Sequence, residues 1–480
     1  TLVTAVLQTI THYHSYAALS QFTVRAAMQP LLADAPPDSI LLADWHWATP
    51  LWYLQEVEGM RHDVDVEFVY PRTADYGADW AARVQEELGN GRSVISTHYD
   101  EIAFASLPPA EPTGDAFLFR QEPRTTMPDT FTPLDLILGD TIEILGYEMG
   151  KTAVEIGAET HLTLAWQPIL RQAQDTNLQS PISLFAHLVG TDGEIYAQQD
   201  LAVTPQPEGI TLTQLRLTPR PGAPPGDYAV MLGAYGSEPL AAPDGEARPA
   251  IATLPVLAMS QPPFTRNPIY APLTGSPRTL IGYDWDATLK PANRLYLHWQ
   301  TPAGFQTEVR DNVLPQDVAL PAYIGPFGLS LSSWNFGGDP VDSHYVPFGQ
   351  GIVWTGDMLT STGSPMRLPQ HFAAARPLTQ DLVVSVRLIG YEPDGYHWAW
   401  TDQDDAVPAM GAIPTLKWIA GSQVHSPHFL TVSSGAEPGQ TVGATLRLYD
   451  AFTNRPLPIL DERITQDYPW VPLGQLPFTP

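Results

Sequence analysis

Beyond residue 126 the sequence becomes a series of alternating apolar and polar segments closed by glycine or proline, and the segments recur in matched sets. ILGYEM (144–149) followed by LTLAWQP (162–168) is answered by LIGYDW (280–285) followed by LYLHWQT (295–301). LVGTDGEIYAQQD (188–200) is answered by LIGYEPDGYHWAWTD (388–402). Both carry Asp-Gly, three residues, Ala, two residues and Asp. PPGDYAVMLGAYG (224–236) is answered by EPGQTVGATLRLYD (437–450). A period of two sends successive side chains to opposite faces of a strand. Short strands of this kind, divided by turns and repeated, read as β-sandwiches. The expectation is two jelly-roll-like sandwich modules, 126–260 and 262–480. The second would carry an insertion near 302–380, rich in Gly, Pro and aromatic residues. Alternation predicts Leu162, Leu164 and Trp166 as core in one copy, and Leu295, Leu297 and Trp299 in the other. The shared Asp-Gly reads as a hairpin turn, with the last Asp capping the following loop.

The first 125 residues follow a different pattern. SILLADW (39–45), VDVEFVY (64–70), RSVISTH (92–98) and DAFLFR (115–120) read as strands. Helical patterns lie between them at 15–32, 49–59 and 79–91. Thr49 reads as an N-cap with Pro50 at the first helical position. Strand–helix alternation predicts a small α/β domain with a mostly parallel sheet. His46 and Trp47 then fall at the carboxyl end of a parallel strand, where such folds place ligands. Trp45, His46, Trp47 and Thr49 are therefore the candidate pocket, with core packing as the competing reading.

Charge and composition narrow the function classes. The net charge is −28, with Lys only at 151, 290 and 417. Such a surface repels phosphate backbones and anionic lipid, so nucleic acid is excluded as a partner. Without cysteine there are no disulfides, catalytic thiolates or Cys-type metal sites. No apolar run reaches the roughly 18 residues that span a bilayer. Phosphate-binding glycine loops, HExxH and GxSxG are absent. Asp284 and Asp286 share one face of a strand, which a glycoside hydrolase could use if they flanked a sugar. Asp402, Asp404 and Asp405 in TDQDD read as a solvated acidic loop or as a Ca²⁺ site, since Ca²⁺ takes clustered oxygens. No other cofactor is expected. In the insertion, Trp334, Phe336, Tyr345 and Trp354 (with Phe348) are candidates for stacking on sugar rings. Packing onto the second sandwich is the alternative.

ILLADWHWATPLWYLQEVEGMRHDVDVEFVYP (40–71) resembles a segment of bacterial multi-pass membrane proteins of the protein O-mannosyltransferase-like kind. These are related to C-type glycosyltransferases that use lipid-linked sugars. The motif here is D-W-x-W-x-T-P-L-W-Y-L-Q-x-V-E-G, then Arg61, Asp63 and Val64. His62 stands where a proline is expected. The LGYE…LTLAWQ…PPGDYAVMLGAYG run resembles the sandwich module that trails the segment. The resemblance implies an extracytoplasmic soluble region that follows transmembrane helices. The family's catalytic Asp lies in the membrane part, so no catalytic residue carries over.

The function expected is therefore a non-catalytic accessory region of a glycosyltransferase-like membrane protein. It would bind glycan or a cell-envelope protein at the cell surface. Any membrane tether would lie in a segment outside this chain. The alternatives are a structural protein that self-associates into a layer or filament and, more weakly, a glycoside hydrolase.

Overall fold

A computed structural model describes residues 24–478 apart from 71, 74–75, 100–102, 105, 115, 170–181, 204–208, 290–292, 313–322, 325–329, 332–342, 361–365, 379, 392–397, 412, 433–435, 438–439, 452–454 and 465–469. The described secondary structure is mostly β, divided among several separate sheets.

Helix α1 (Val24–Ala33) precedes β1 (Ile40–Ala43), α2 (Trp45–Glu56), β2 (Asp65–Phe68), α3 (Tyr76–Gly89) and β3 (Val94–Ser96). Every residue of β1 is buried, because helices cover both its faces. Leu41 and Ala43 pack with Leu32 of α1 and with Leu51 and Leu54 of α2. Ile40 and Leu42 pack with Trp80 and Val84 of α3. β1 pairs in parallel with β2 and β3. β4 (Glu111–Thr113) and β5 (Ala116–Phe119) complete the order β2-β1-β3-β5-β4 through antiparallel pairings. Half the pairings are thus antiparallel, which corrects the mostly parallel sheet. DAFLFR returns beside β3 as an antiparallel strand, a pairing that needs no crossover helix. α2 also begins earlier than Pro50 suggests. Asp44 is its N-cap, accepting from the backbone N–H groups of His46 and Trp47 at 3.0 and 3.3 Å. Thr49 and Pro50 therefore lie inside the helix.

The next ten strands are β6 (Thr132–Leu138), β7 (Ile142–Met149), β8 (Val154–Glu155), β9 (Thr160–Pro168), β10 (Ile182–Val189), β11 (Ile195–Val203), β12 (Thr211–Leu217), β13 (Gly226–Tyr235), β14 (Pro239–Leu240) and β15 (Ala250–Leu257). They form two facing sheets, β12-β9-β7-β6 and β11-β10-β13-β15-β8, with β14 beside β13. Leu162, Leu164 and Trp166 are fully buried between the sheets against Leu184 and Leu188. Burial of each such side chain contributes about 1.5–3 kcal/mol. The indole N–H of Trp166 is satisfied by Thr213 Oγ1 at 2.9 Å.

A jelly roll pairs its first strand with its last. Here β6 sits at an edge beside β7, and β8 runs parallel to β15. With β6 set aside, the orders are A-B-E and C′-C-F-G, and β8 takes the place of A′. This is an immunoglobulin-like Greek key, which corrects the jelly-roll expectation. Tyr228, near the start of the F strand, donates its hydroxyl to Pro224 O at 2.7 Å, the tyrosine-corner contact of such sandwiches.

The chain then forms a separate meander of β16 (Asn267–Pro272), β17 (Thr279–Asp286), β18 (Arg294–Thr301) and β19 (Gly304–Asp311). β20 (Tyr323–Ile324) and β21 (Ser330–Leu331) make a short ladder. β22 (Val346–Pro347), β23 (Ile352–Trp354), β24 (Met366–Ala374), β25 (Leu382–Tyr391), β26 (Trp398–Ala406), β27 (Gln423–Leu430), β28 (Thr441–Asp450) and β29 (Val471–Pro477) build the second sandwich. Its sheets, β22-β23-β24-β27 and β26-β25-β28-β29, repeat the orders β6-β7-β9-β12 and β11-β10-β13-β15 of the first sandwich, without strands matching β8 and β14. Even the A′ contact recurs, as Leu359 N–H donates to Leu473 O of β29 at 2.7 Å.

The insertion expected at 302–380 is therefore partly core. Val346, Ile352, Trp354 and Phe372 from that span are buried in the second sandwich. LIGYDW and LYLHWQT, matched in sequence to strands of the first sandwich, lie in the meander instead. Their likeness is still real in the backbone. β7 bulges between Ile144 and Gly146 against β9, and β17 bulges between Leu280 and Gly282 against β18. Pro133 faces Gly146 as Pro268 faces Gly282. A Cβ on Gly146 would come within 2.8 Å of Thr132 O, and one on Gly282 within 2.8 Å of Thr265 Cβ. Both glycines let a neighbouring segment cross close over the bulge. Leu295, Leu297 and Trp299 are buried as predicted, but in the meander's own core.

Candidate functional site

The carboxyl ends of β1, β2 and β3 gather the residues best placed to meet a ligand. The order β2-β1-β3 puts a switch point between β1 and β3, because the chain leaves β1 toward β2 on one side and reaches β3 on the other. Asp44 stands at this point, its N–H donating to Thr97 Oγ1 at 3.4 Å. Burial pushes its carboxyl above the ordinary value, against the two capping hydrogen bonds. Asp450 of the second sandwich adds to that rise. Asp381, also from the second sandwich, is raised by burial and interacts electrostatically with His46. Asp450 and Asp381 of the second sandwich thus lie close enough to Asp44 and His46 to act on them electrostatically.

The four predicted pocket residues separate here. Trp45, His46 and Thr49 are exposed, whereas Trp47 turns into the core beside Leu51 and Leu54. The Thr49 hydroxyl is committed to Trp45 O at 3.0 Å. Core packing wins for Trp47 because the helix starts at Trp45, which points its third residue back at the sheet.

Trp45 leads instead into a row of rings. Trp45 meets Phe68 edge-on at 5.6 Å and Trp52 at 6.2 Å. Phe68 meets Tyr70 at 5.8 Å. Trp52 is fixed by its indole N–H to Val66 O at 2.9 Å. Trp45 is 57% exposed and Tyr70 70%. Each is largely exposed to solvent and stands nearly perpendicular to a neighbouring ring. Phe68 and Tyr70 are missing from the sequence-based site. Their signal was the alternation of Val66, Phe68 and Tyr70, which carries one face of edge strand β2 on past its last residue.

Other sequence candidates lie elsewhere. Trp334 and Phe336 fall outside the described residues. Tyr345, Phe348 and Trp354 are buried, which overturns the stacking role for Tyr345 and Trp354. Trp354 Nε1 donates to Gln370 Oε1 at 2.6 Å inside the second sandwich. Asp402, Asp404 and Asp405 do not converge. Asp402 and Asp404 accept from the backbone N–H groups of Thr431 and Phe429 at 2.5 and 2.9 Å. Asp405 accepts from Gln403 Nε2 at 2.9 Å. Strand periodicity sends Asp405 to the opposite face from its two neighbours, which corrects the Ca²⁺ expectation. Among the described residues no group of three His, Asp or Glu is placed to hold a metal ion. Asp200 also lies within β11 rather than capping a loop, and accepts from Tyr235 OH at 3.1 Å.

The carboxylates considered for sugar hydrolysis are buried in a junction between the meander and the second sandwich. Asp284 accepts from Arg266 N–H at 2.9 Å and lies 3.1 Å from His298 Nε2. Asp286 is held by Arg463 at 2.5 Å. Arg463 also grips Asp461, which in turn meets Arg294 at 3.2 Å. Arg294 is forked onto Asp311 and bound by Glu462. Nothing in this arrangement leaves Asp284 or Asp286 open to a sugar. Beside it lies a small, partly open cleft of about 70 Å³, walled by Tyr296, Tyr345, Phe348 and Arg376. Arg376 donates to Gln350 O at 3.0 Å and to Gly157 O of the first sandwich at 3.4 Å.

No family model matches the chain, and no curated protein matches it. Among solved structures it is similar to "pT26-6p", at 8% identity and a TM-score of 0.18, over 70% of this chain and 64% of that one. It is also similar to the BSP domain of a biofilm-associated protein, at 6% identity and a TM-score of 0.11, over 67% and 65%. The match spans less than two thirds of either of those chains. Likenesses of this size carry no argument about fold or function.

Proposed function

We propose that this chain is a non-catalytic, extracytoplasmic accessory region of a glycosyltransferase-like membrane protein, and that it binds glycan at the cell surface. In this reading an α/β domain carries the binding edge and two sandwich modules hold it away from the membrane. The observation that carries the reading is the open row of rings at the carboxyl edge of β1 and β2. Trp45 and Tyr70 present apolar faces suited to the CH faces of sugars. The polar groups of His46 and Asp44 lie alongside for hydroxyls. No described helix is long and apolar enough to cross a membrane.

The test is a glycan array probed with the full chain, followed by affinity electrophoresis with Trp45→Ala and Tyr70→Ala. Loss of one stacking ring is expected to weaken binding by about fivefold to tenfold, the equivalent of about 1–1.4 kcal/mol. Absence of glycan retention, or retention unchanged in both variants, would reject the reading. Peptide mapping of the native gene product tests the membrane half separately. Membrane segments ahead of residue 1 support it, and a native N-terminus at Thr1 in large regular assemblies favours a structural layer protein.

A further inference from the structure

Outside the site above, two histidines face each other on the outer surface of the second sandwich. His371 of β24 and His425 of β27 are directly opposed in the antiparallel ladder. Their ring centroids are 4.7 Å apart, and His425 Nδ1 lies 3.4 Å from His371 Nε2. His425 is exposed and His371 partly so. We propose that this pair is a binding site for a borderline divalent transition-metal ion, with Zn²⁺, Ni²⁺ and Cu²⁺ as the chemical class.

The spacing carries the argument. Imidazole nitrogens bind Zn²⁺ at about 2.0–2.1 Å, so two of them on adjacent corners of a tetrahedron stand about 3.3–3.4 Å apart. The two nitrogens already hold that separation, so an ion can bridge them after small ring rotations and without moving the backbone. The strands fix the pair: β24 and β27 are registered over eight residue pairs, Met366↔Leu430 through Ala373↔Gln423. Preorganisation of this kind spares the ordering cost of a mobile site. A ligand histidine must be neutral, so binding weakens as the pH falls below the ordinary imidazole range. Asp357, exposed, brings a negative charge toward the pair. No third side-chain ligand joins the pair among the described residues, so the remaining coordination positions go to water or to a group from a bound partner. The acidic surface as a whole raises the local cation concentration.

The experiment uses the full chain, stripped with a chelator and titrated calorimetrically with Zn²⁺, Ni²⁺, Cu²⁺ and Mg²⁺ at neutral pH. His371→Ala, His425→Ala and, as a control far from the pair, His187→Ala are titrated in parallel. The expected result is one site with Cu²⁺ bound most tightly, as the Irving–Williams order requires, and no response to Mg²⁺. Either pair variant is expected to weaken that site by more than about tenfold, since even the loss of an outer-shell partner costs that much. The control leaves it unchanged. Cu²⁺ electron paramagnetic resonance of the intact chain reports the ligands directly, with superhyperfine lines from two imidazole nitrogens expected. Metal affinity that is unchanged in both pair variants overturns the proposal. So does a spectrum without imidazole nitrogen, or the absence of binding below millimolar metal.

Discussion

Replacing Arg294 by Met tests whether the buried junction between the meander and the second sandwich is held by charge. Arg294 is almost fully buried and bonds to Asp311 at 2.6 and 2.9 Å, to Glu462 at 2.6 and 3.0 Å, and to Asp461 at 3.2 Å. Methionine keeps much of the aliphatic bulk and removes the charge. Breaking a buried pair by deleting one partner costs about 3–5 kcal/mol, because the other charge is left without compensation. Two features reduce that figure. Asp311 and Glu462 side chains are 47% and 39% exposed and rehydrate once freed. Asp461, which is fully buried, keeps Arg463 at 2.9 and 2.6 Å. The expected loss is therefore about 2–4 kcal/mol. Global denaturation of a chain with several modules is not two-state, so the assay is native-state hydrogen exchange on peptides spanning 294–301 and 459–464. Those peptides should exchange faster by the stated free energy, while peptides of β9 and β10 stay unchanged. Arg294→Lys should fall between, since a lysine cannot span three carboxylates. Adding Asp461→Leu to the Met variant should deepen the loss, because buried Arg463 and the Tyr296 hydroxyl then lose their acceptor. A change below about 0.5 kcal/mol, the level of an ordinary surface substitution, would refute the reasoning, as would a double variant more stable than the single one.

Further outcomes follow from the same geometry. Asp44→Asn keeps the helix cap but removes a desolvated charge, so it should be neutral or stabilising at pH 7, whereas Asp44→Ala should cost about 1 kcal/mol in thermal or exchange stability. Asp44 and Asp381 have raised carboxyls. Their junction should therefore be firmest below the unfolded carboxylate pKa and loosen as pH rises through the folded values, measured as pH-dependent exchange near Asp44. Asp461 has the opposite sign: burial pushes it up, but Arg463 and Arg294 outweigh burial and hold it below its ordinary value. Its contribution is present above the unfolded pKa and is lost as pH falls through the lowered one. Gly146→Ala should destabilise the first sandwich by about 1–3 kcal/mol, because the added methyl meets the Thr132 carbonyl. Tyr228→Phe should cost about 1 kcal/mol by leaving Pro224 O without its donor, read as a lower unfolding midpoint of the first sandwich.

The sequence by itself determined which segments become strands and which side chains they bury. Period-two alternation does not depend on where a strand ends up, so Leu162, Leu164 and Trp166 were legible, as were Leu295, Leu297 and Trp299. The likeness of ILGYEM and LIGYDW was legible as well, and the structure shows it as paired bulges at Gly146 and Gly282. Part of the candidate site was legible too. A strand running into a Pro-started helix placed His46 and Trp47 at a carboxyl edge, although the helix begins at Trp45. Tertiary structure decided what these pieces met. LIGYDW and IVW (352–354) offer similar apolar faces, and only the facing sheet selects IVW for the second sandwich. Trp354 and Tyr345 looked open because nothing local records the sheet that covers them. Asp284 and Asp286 became structural ions because Arg266 and Arg463, distant in sequence, arrive to neutralise them. His371 and His425, 54 residues apart, face each other only through the register of β24 and β27. Local pattern is written in each segment, but pairing and burial of charge depend on partners brought in by the whole chain.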